Sequence, residues 1–417
     1  MPSRTSAEQD AVARALAHVR DDEVVELTRR LIRIPSVFRP GEPQANESAV
    51  ARVIADWLRA AGLGVEVQEV APGRPNVIGC LDGRAGGPTL CLEGHTDVVT
   101  EGDHREWRHD PWSGALEDGR IYGRGAADMK GGLAAAMVAA AAFRRAELEF
   151  TGRLVVAALV DEEAGMTGAR HFVRTPIGQA VDAAIICEPE QNELCLEQKG
   201  VFWVGVGIHG RMAHGAMPYA GVNPIAAAGA FLAALPRLER RIARGLPRRR
   251  FLGVPHVTPT SCRAPAIGVA QNNVIPSTAR LLLDVRLVPG LAPEVVLGAL
   301  GELARETETR WPESKIEIET VEPPRPATRV RRSEPVVQAL AWAVSIVTGR
   351  RPRFGGVPGS TDGTIFVAER GIPIVTFGPG HREVPHQVDE HVSVAELVEA
   401  ARCYAAAAVR FLGARRG

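Results

Sequence analysis

Residues Gly152 to Gly165 read GRLVVAALVDEEAG, and the fold turns on that stretch. From Leu154 to Val160 every residue is apolar, with no Gly or Pro, as in a strand buried on both faces. Asp161, Glu162 and Glu163 follow at its carboxyl end. Neighbouring acids at the edge of a buried strand repel one another and lose solvation, which raises their pKa values unless a metal or several donors hold them ionised. A solvated turn after a strand would give the same letters, so the other strand ends must decide.

Upstream, residues 7 to 34 read as one or two amphipathic helices stopped by Pro35, and a further helix spans about 47 to 61. Strand-like runs follow at Val65 to Val70, Asn76 to Leu81 and Thr89 to Leu92, the last leading into GHTDVV with His95 and Asp97. The glycine-rich turn GRIYGRGAADMKGG, 119 to 132, holds Asp128, and Leu133 to Phe143 is a small-residue helix able to pack closely on a sheet. Downstream, a helix near 168 to 175 precedes VDAAIICEPE, an apolar strand ending near Glu188. Alternating strands and helices predict a largely parallel α/β sheet covered on both faces, with its site beyond the carboxyl ends of the strands. Those ends carry His95, Asp97, Glu162, Glu163 and Glu188, with Asp128 between, a donor set that points to a metal site.

From about Val201 the order changes to strand 201–208, helix 223–238, strands about 266–270 and 279–287, helix 292–308 and strand 316–321. This βαββαβ order predicts an inserted ferredoxin-like domain over 201–322, with the first domain formed by 1–200 and 323–417. After the proline-rich return come helix 334–348, strand 373–377 and helix 395–412, with His386 following the strand.

At 417 residues the chain is long for one core, and its 45% hydrophobic and 24% charged content is that of a globular protein. Lys plus Arg equals Asp plus Glu at 49 each, so no net field favours nucleic acid or an anionic membrane. The basic run Arg237 to Arg250 reads as a solvated helix face and loop or as a contact patch. The cysteines show no CxxC and look like small buried hydrophobes of a reducing compartment. No signal-peptide core or membrane-spanning run is evident, so a cytoplasmic setting is expected.

GHTDVV (94–99), GRGAADMKGG (123–132), DEEAG (161–165), CEPE (187–190), GRMAHGAMP (210–218), NNVIP (272–276), DVR (284–286), STDG (360–363) and PHQVDE (385–390) together, in this order, are specific. By them the chain resembles the metallopeptidase family of acetylornithine deacetylase, succinyl-diaminopimelate desuccinylase and carboxypeptidase G, over nearly its whole length. The resemblance implies two zinc ions bridged by Asp128, one also held by His95 and Glu188, the other by Glu163 and His386, and a cis peptide between Asp128 and Met129. It makes Glu162 the general base toward a water held by the metals and Asp97 the residue that orients His95. It has His214 reach from the inserted domain of a partner subunit to the oxyanion, which implies a homodimer, and it makes Asn273, Arg286, Thr361 and Asp362 substrate-binding. An ion pair with Asp284 is the rival reading of Arg286. Gly363 and Thr364 stand where many members have an arginine, a departure that bears on recognition of an α-carboxylate.

The expected activity is hydrolysis of the amide bond of an N-acyl amino acid or related small amide, with cobalt or manganese as alternatives to zinc. A dipeptidase or carboxypeptidase-type exopeptidase is the alternative within the family. A non-catalytic dimeric binder would not need Glu162, and a two-metal phosphoesterase would need more cationic groups than Arg286.

Overall fold

The computed structural model describes residues 6–416, so residues 1–5 and 417 of the expected first domain lie outside it. The chain divides into two compact units. One takes residues up to Leu196, Val330–Gly356 and the chain from Thr361 onward; the other takes Glu197–Arg329 and Val357–Ser360.

The first unit is built on strands β1 (Gly64–Ala71), β2 (Arg74–Asp82), β3 (Arg84–His95), β4 (Thr151–Leu159), β5 (Ala183–Ile186) and β6 (Leu194–Gln198), with a short strand Ile374–Thr376. They lie in the order β1, β2, β4, β3, β5, Ile374–Thr376, β6. The centre, from β4 through β3 and β5 to Ile374–Thr376, is parallel, while β1, β2 and β6 pair antiparallel at the flanks, so the sheet is mixed around a parallel core.

Alternation along the strands explains why both faces are covered. Leu90, Leu92, Leu154, Val156, Ala183 and Ile185 join one core with the helices Asp21–Ile32, Ser48–Ala60, Gly131–Arg145 and Val394–Phe411. The intervening Cys91, Val155, Ala157, Ala184 and Ile186 join the other, with Ala169 and Phe172 of Thr167–Phe172 and with Ile365 and Phe366 of Gly363–Arg370. Gly131–Arg145 is buried from Gly131 to Phe143. Its long apolar stretch faces protein, with 94% of the most apolar window buried.

The second unit is an antiparallel sheet of β7 (Gly200–His209), β8 (His256–Arg263), β9 (Thr278–Leu287) and β10 (Lys315–Thr320) in the order β8, β9, β7, β10. Phe202, Val204, Val206 and Ile208 of β7 and Leu281, Leu283, Val285 and Leu287 of β9 pack under helices Pro224–Ile242 and Pro293–Arg310, the ferredoxin-like arrangement. The strand expected at about 266–270 is not formed. His256–Arg263 takes its place in the sheet, and Ile267 and Val269 are 90% and 89% exposed. An apolar alternation alone misleads where no neighbour covers it. The cysteines are all unpaired, but Cys262 is exposed rather than buried.

Close packing at one helix end bears directly on the site. A Cβ built at Gly132 would lie 1.9 Å from the carbonyl oxygen of Cys187, the residue before Glu188. Alanine is the better helix former by about 1 kcal/mol, yet Gly132→Ala is expected to destabilise by about 1 to 3 kcal/mol through overpacking. Thermal unfolding followed by circular dichroism checks this, and a melting temperature equal to or above the parent's would contradict it.

Candidate active site

Strand register brings the site together. His95 at the end of β3 stands opposite Leu159 at the end of β4, and Glu93 stands opposite Ile186 at the end of β5. His95 and Glu188, two residues beyond those partners, therefore emerge level with each other, and Asp161 to Glu163 emerge beside them. Asp128 arrives from the Gly123–Gly132 turn, through the expected cis peptide to Met129.

The run of acids after β4 separates into different roles. Asp161 takes a left-handed backbone (φ 70°) that turns the chain sharply. Its Oδ1 accepts from Arg74 at 2.7 Å and its Oδ2 from the Thr167 hydroxyl at 2.7 Å, so this carboxylate is committed to structure. Arg74 also grips the fully buried Glu47 in a forked pair, with Nε to Oε2 at 2.9 Å and Nη2 to Oε1 at 2.5 Å. Glu163 turns toward His386, Oε1 to Nε2 at 3.1 Å. Glu162 is buried, and it feels the charges of His95, Glu163, Asp362 and Asp128.

Asp97 does more than orient His95. Its carboxylate accepts the backbone N–H groups of Glu162 at 3.2 Å and Glu163 at 3.1 Å, fixing the two residues that follow Asp161. Its backbone carbonyl, rather than its side chain, is the near partner of His95: Nδ1 lies 2.9 Å from Asp97 O and 3.7 Å from Oδ1. A carbonyl can only accept, so Nδ1 carries a proton and Nε2 is the atom turned toward the carboxylates.

Nε2 faces Asp128 Oδ1 at 3.0 Å and Glu188 Oε1 at 3.7 Å. Lone pair against carboxylates is repulsive unless a proton or a cation lies among them. On the other side Asp128 Oδ2 is 3.4 Å from His386 Nε2, which also meets Glu163. Two groups result, His95 with Asp128 and Glu188, and Asp128 with Glu163 and His386. In each, the donor atoms lie within 4.8 Å of one another, and Asp128 belongs to both. Three carboxylates and two imidazoles around a shared Asp suit a pair of divalent cations in both charge and donor type.

The electrostatics show the same demand for positive charge. Burial is the largest influence on Glu162, Glu163 and Glu188 and raises all three carboxyls. Burial also acts to raise Asp128, but hydrogen bonds from His386 and His95 outweigh it and hold that carboxyl low. Hydrogen bonds to Asp128 and Glu163 push His386 up to about 10.

The expected ligands His95, Asp128, Glu163, Glu188 and His386 thus meet in the first unit, with Glu162 and Asp97 beside them. Thr361 and Asp362 belong to this unit too and are buried, Asp362 bearing electrostatically on Glu93 and Glu162. His214, Asn273 and Arg286 lie in the second unit. His214 pairs with Val274 in a short ladder, and Gly215 N–H donates to Asn273 O at 2.7 Å. The Arg286 guanidinium is taken by Asp284, Nε to Oδ1 at 2.7 Å and Nη2 to Oδ2 at 3.2 Å. Sequence reasoning left Arg74 and Glu47 unassigned, and no local pattern marks them. Arg124 and Glu390 stand inside recognised motifs without an assigned role.

Fold and site together define a metallohydrolase with its candidate ligands gathered near the ends of a parallel core. The profile of the peptidase family M20/M25/M40 matches residues 91–410, and the chain belongs to that family. It is a metal-dependent hydrolase acting on amide bonds. The chain is 31% identical over 386 residues to a succinyl-diaminopimelate desuccinylase of Methylobacterium nodulans, covering 89% of this chain and 91% of that protein. Among solved structures it resembles the dipeptidase Dug1p of Saccharomyces cerevisiae, with a TM-score of 0.76 at 15% identity over 97% of this chain and 98% of that one. It also resembles the YXEP protein of Bacillus subtilis, a dinuclear metal binding peptidase, with a TM-score of 0.72 at 18% identity over 94% and 98% of the two chains.

Arg74 is the only cation hydrogen-bonded to Glu47 or Asp161 among the described residues. Arg74→Met would leave buried carboxylates uncompensated, and a loss of about 3 to 5 kcal/mol is expected in urea unfolding. Adding Glu47→Gln and Asp161→Asn should recover much of it. A single variant as stable as the parent would show that the pair carries no such weight.

Proposed function

We propose that this chain is a deacylase that hydrolyses the amide bond of an N-acyl amino acid or a related small amide, using two bound zinc ions. The observation that carries the reading is the sharing of Asp128 between two ligand groups, with Glu162 set beside both. The first group would be held by His95, Asp128 and Glu188 and the second by Asp128, Glu163 and His386. Bound there, divalent cations supply Lewis acidity that polarises a carbonyl and acidifies water; cobalt or manganese suits the same donors. Glu162 accepts the proton released by the attacking water on a carboxylate oxygen and returns it to the nitrogen of the departing amine. Asp97 holds Glu162 in place through its backbone N–H. The full-length similarity to a desuccinylase favours acyl amino acids over dipeptides as substrates.

The resemblance in sequence extends the proposal to a homodimer, in which His214 of the partner subunit supports the oxyanion, with Asn273 and Arg286 as substrate contacts. Exposed Met212, Tyr219, Ile267 and Val269 give the second unit apolar surface that a second copy would cover. Six unpaired cysteines suit a reducing, cytoplasmic setting.

Assaying N-acetyl, N-succinyl and N-aroyl amino acids beside dipeptides, each with zinc, cobalt and manganese, should find turnover confined to the acyl amino acids. Turnover of dipeptides alone would transfer the protein to the peptidases of the family. Glu162→Gln should keep its metal content by atomic absorption while kcat falls by about a hundredfold or more. An active, metal-replete variant would end the assignment of Glu162.

A further inference from the structure

Asp128 serves both ligand groups, yet its own segment does little to hold it. Its backbone (φ −117°, ψ 93°) and that of Met129 (φ −133°, ψ 31°) are non-helical, so no helical ladder secures the Asp128 N–H. The anchor comes from more than 260 residues away. Glu390, fully buried, accepts the N–H of Ala127 at 2.9 Å and of Asp128 at 3.0 Å on Oε1. Its Oε2 takes Arg124 Nη1 at 2.6 Å, and its own carbonyl accepts the N–H of Gly123 at 2.8 Å. Four residues before Glu390 stands His386, so the loop that presents one imidazole also clamps the backbone of the shared carboxylate.

We infer that Glu390, oriented by Arg124, is a positioning residue that sets Asp128 against His386 and so fixes the second of the two metal positions. The inference rests on the two-metal reading above. The carboxylate is needed as such because it must accept on both oxygens at once. A glutamine has the same shape, but its amide nitrogen would present hydrogens either to Arg124 or to the backbone N–H groups, and one contact would become donor against donor. The first group depends less on this clamp, because His95 and Glu188 are placed by strand register.

Cobalt(II) titration of the metal-free protein, followed by calorimetry and by the visible absorption of the bound ion, tests this. The parent should take up two equivalents. In Glu390→Gln the weaker equivalent should bind roughly 10- to 100-fold less tightly, with an altered absorption band, while the tighter one changes little. Turnover should return as cobalt is raised. A purely structural role would lower the melting temperature of the metal-free protein and leave both cobalt constants and the spectrum at parental values, which would overturn the inference. If Glu390→Gln fails to fold, Arg124→Lys, which keeps the charge but loses the fork, is read in the same way: unchanged cobalt constants overturn the inference, and a weakened second equivalent supports it. A parent that takes up no cobalt would instead overturn the metal-dependent reading, and this inference with it.

Discussion

Like charge gathered in a dry place is the constraint on which the rest of this structure depends. Asp97, Asp128, Asp161, Glu162, Glu163 and Glu188 converge at the ends of the parallel strands, and most of them are buried. In such surroundings carboxylates either take up protons or are met by donors and cations. The fold meets the outer ones with protein groups and leaves the inner ones facing each other. Arg74 answers Asp161, the amides of Glu162 and Glu163 answer Asp97, and Arg124 answers Glu390. What remains is Asp128, Glu162, Glu163 and Glu188 with two imidazoles, a set that calls for further positive charge.

The way this remainder is aimed follows from backbone geometry. Parallel strands in register deliver His95 and Glu188 at the same height, which no loop could do as reproducibly. The left-handed turn at Asp161 and the two amides held by Asp97 then send Glu162 and Glu163 in separate directions, so adjacent residues of one chain serve different purposes. His386 is delivered by a loop and is half exposed, unlike the fully buried His95. Strand register thus sets His95 and Glu188, while Asp128, Glu163 and His386 come from turns and loops locked to the sheet.

Much of this was legible in the sequence, for a physical reason: apolar strands that end in His, Asp or Glu state both the element and its polarity in one stretch of letters. The parallel core, the small-residue helix packed against it and the ferredoxin-like order of the second unit follow from such local patterns, whereas the full set of five candidate ligands, His386 included, came through the family resemblance. The antiparallel flanks do not, because pairing direction depends on which neighbour a strand meets. The strand expected at about 266–270 failed for a related reason, since its alternation has nothing to pack against and His256–Arg263 holds the place in the sheet. Arg74 and Glu47 were invisible because they meet across 27 residues and the second partner of Arg74, Asp161, lies 87 residues further on, and a lone Arg after a turn has no periodicity to betray it.

The contrast between Asp97 and Asp128 shows why a list of ligands understates such a site. Both are acids beside His95, yet Asp97 spends its carboxylate on two backbone amides and offers His95 only a carbonyl, whereas Asp128 offers both carboxylate oxygens outward to the two imidazoles. The difference lies in what each backbone leaves unsatisfied. The amides of Glu162 and Glu163, turned inward after the strand ends, need an acceptor, and Asp97 is within reach. The amides of Ala127 and Asp128 need one as well, and Glu390 supplies it, which leaves the Asp128 side chain free for the cleft. Satisfying backbone donors with acids that lie outside the ligand set is what keeps the ligands available.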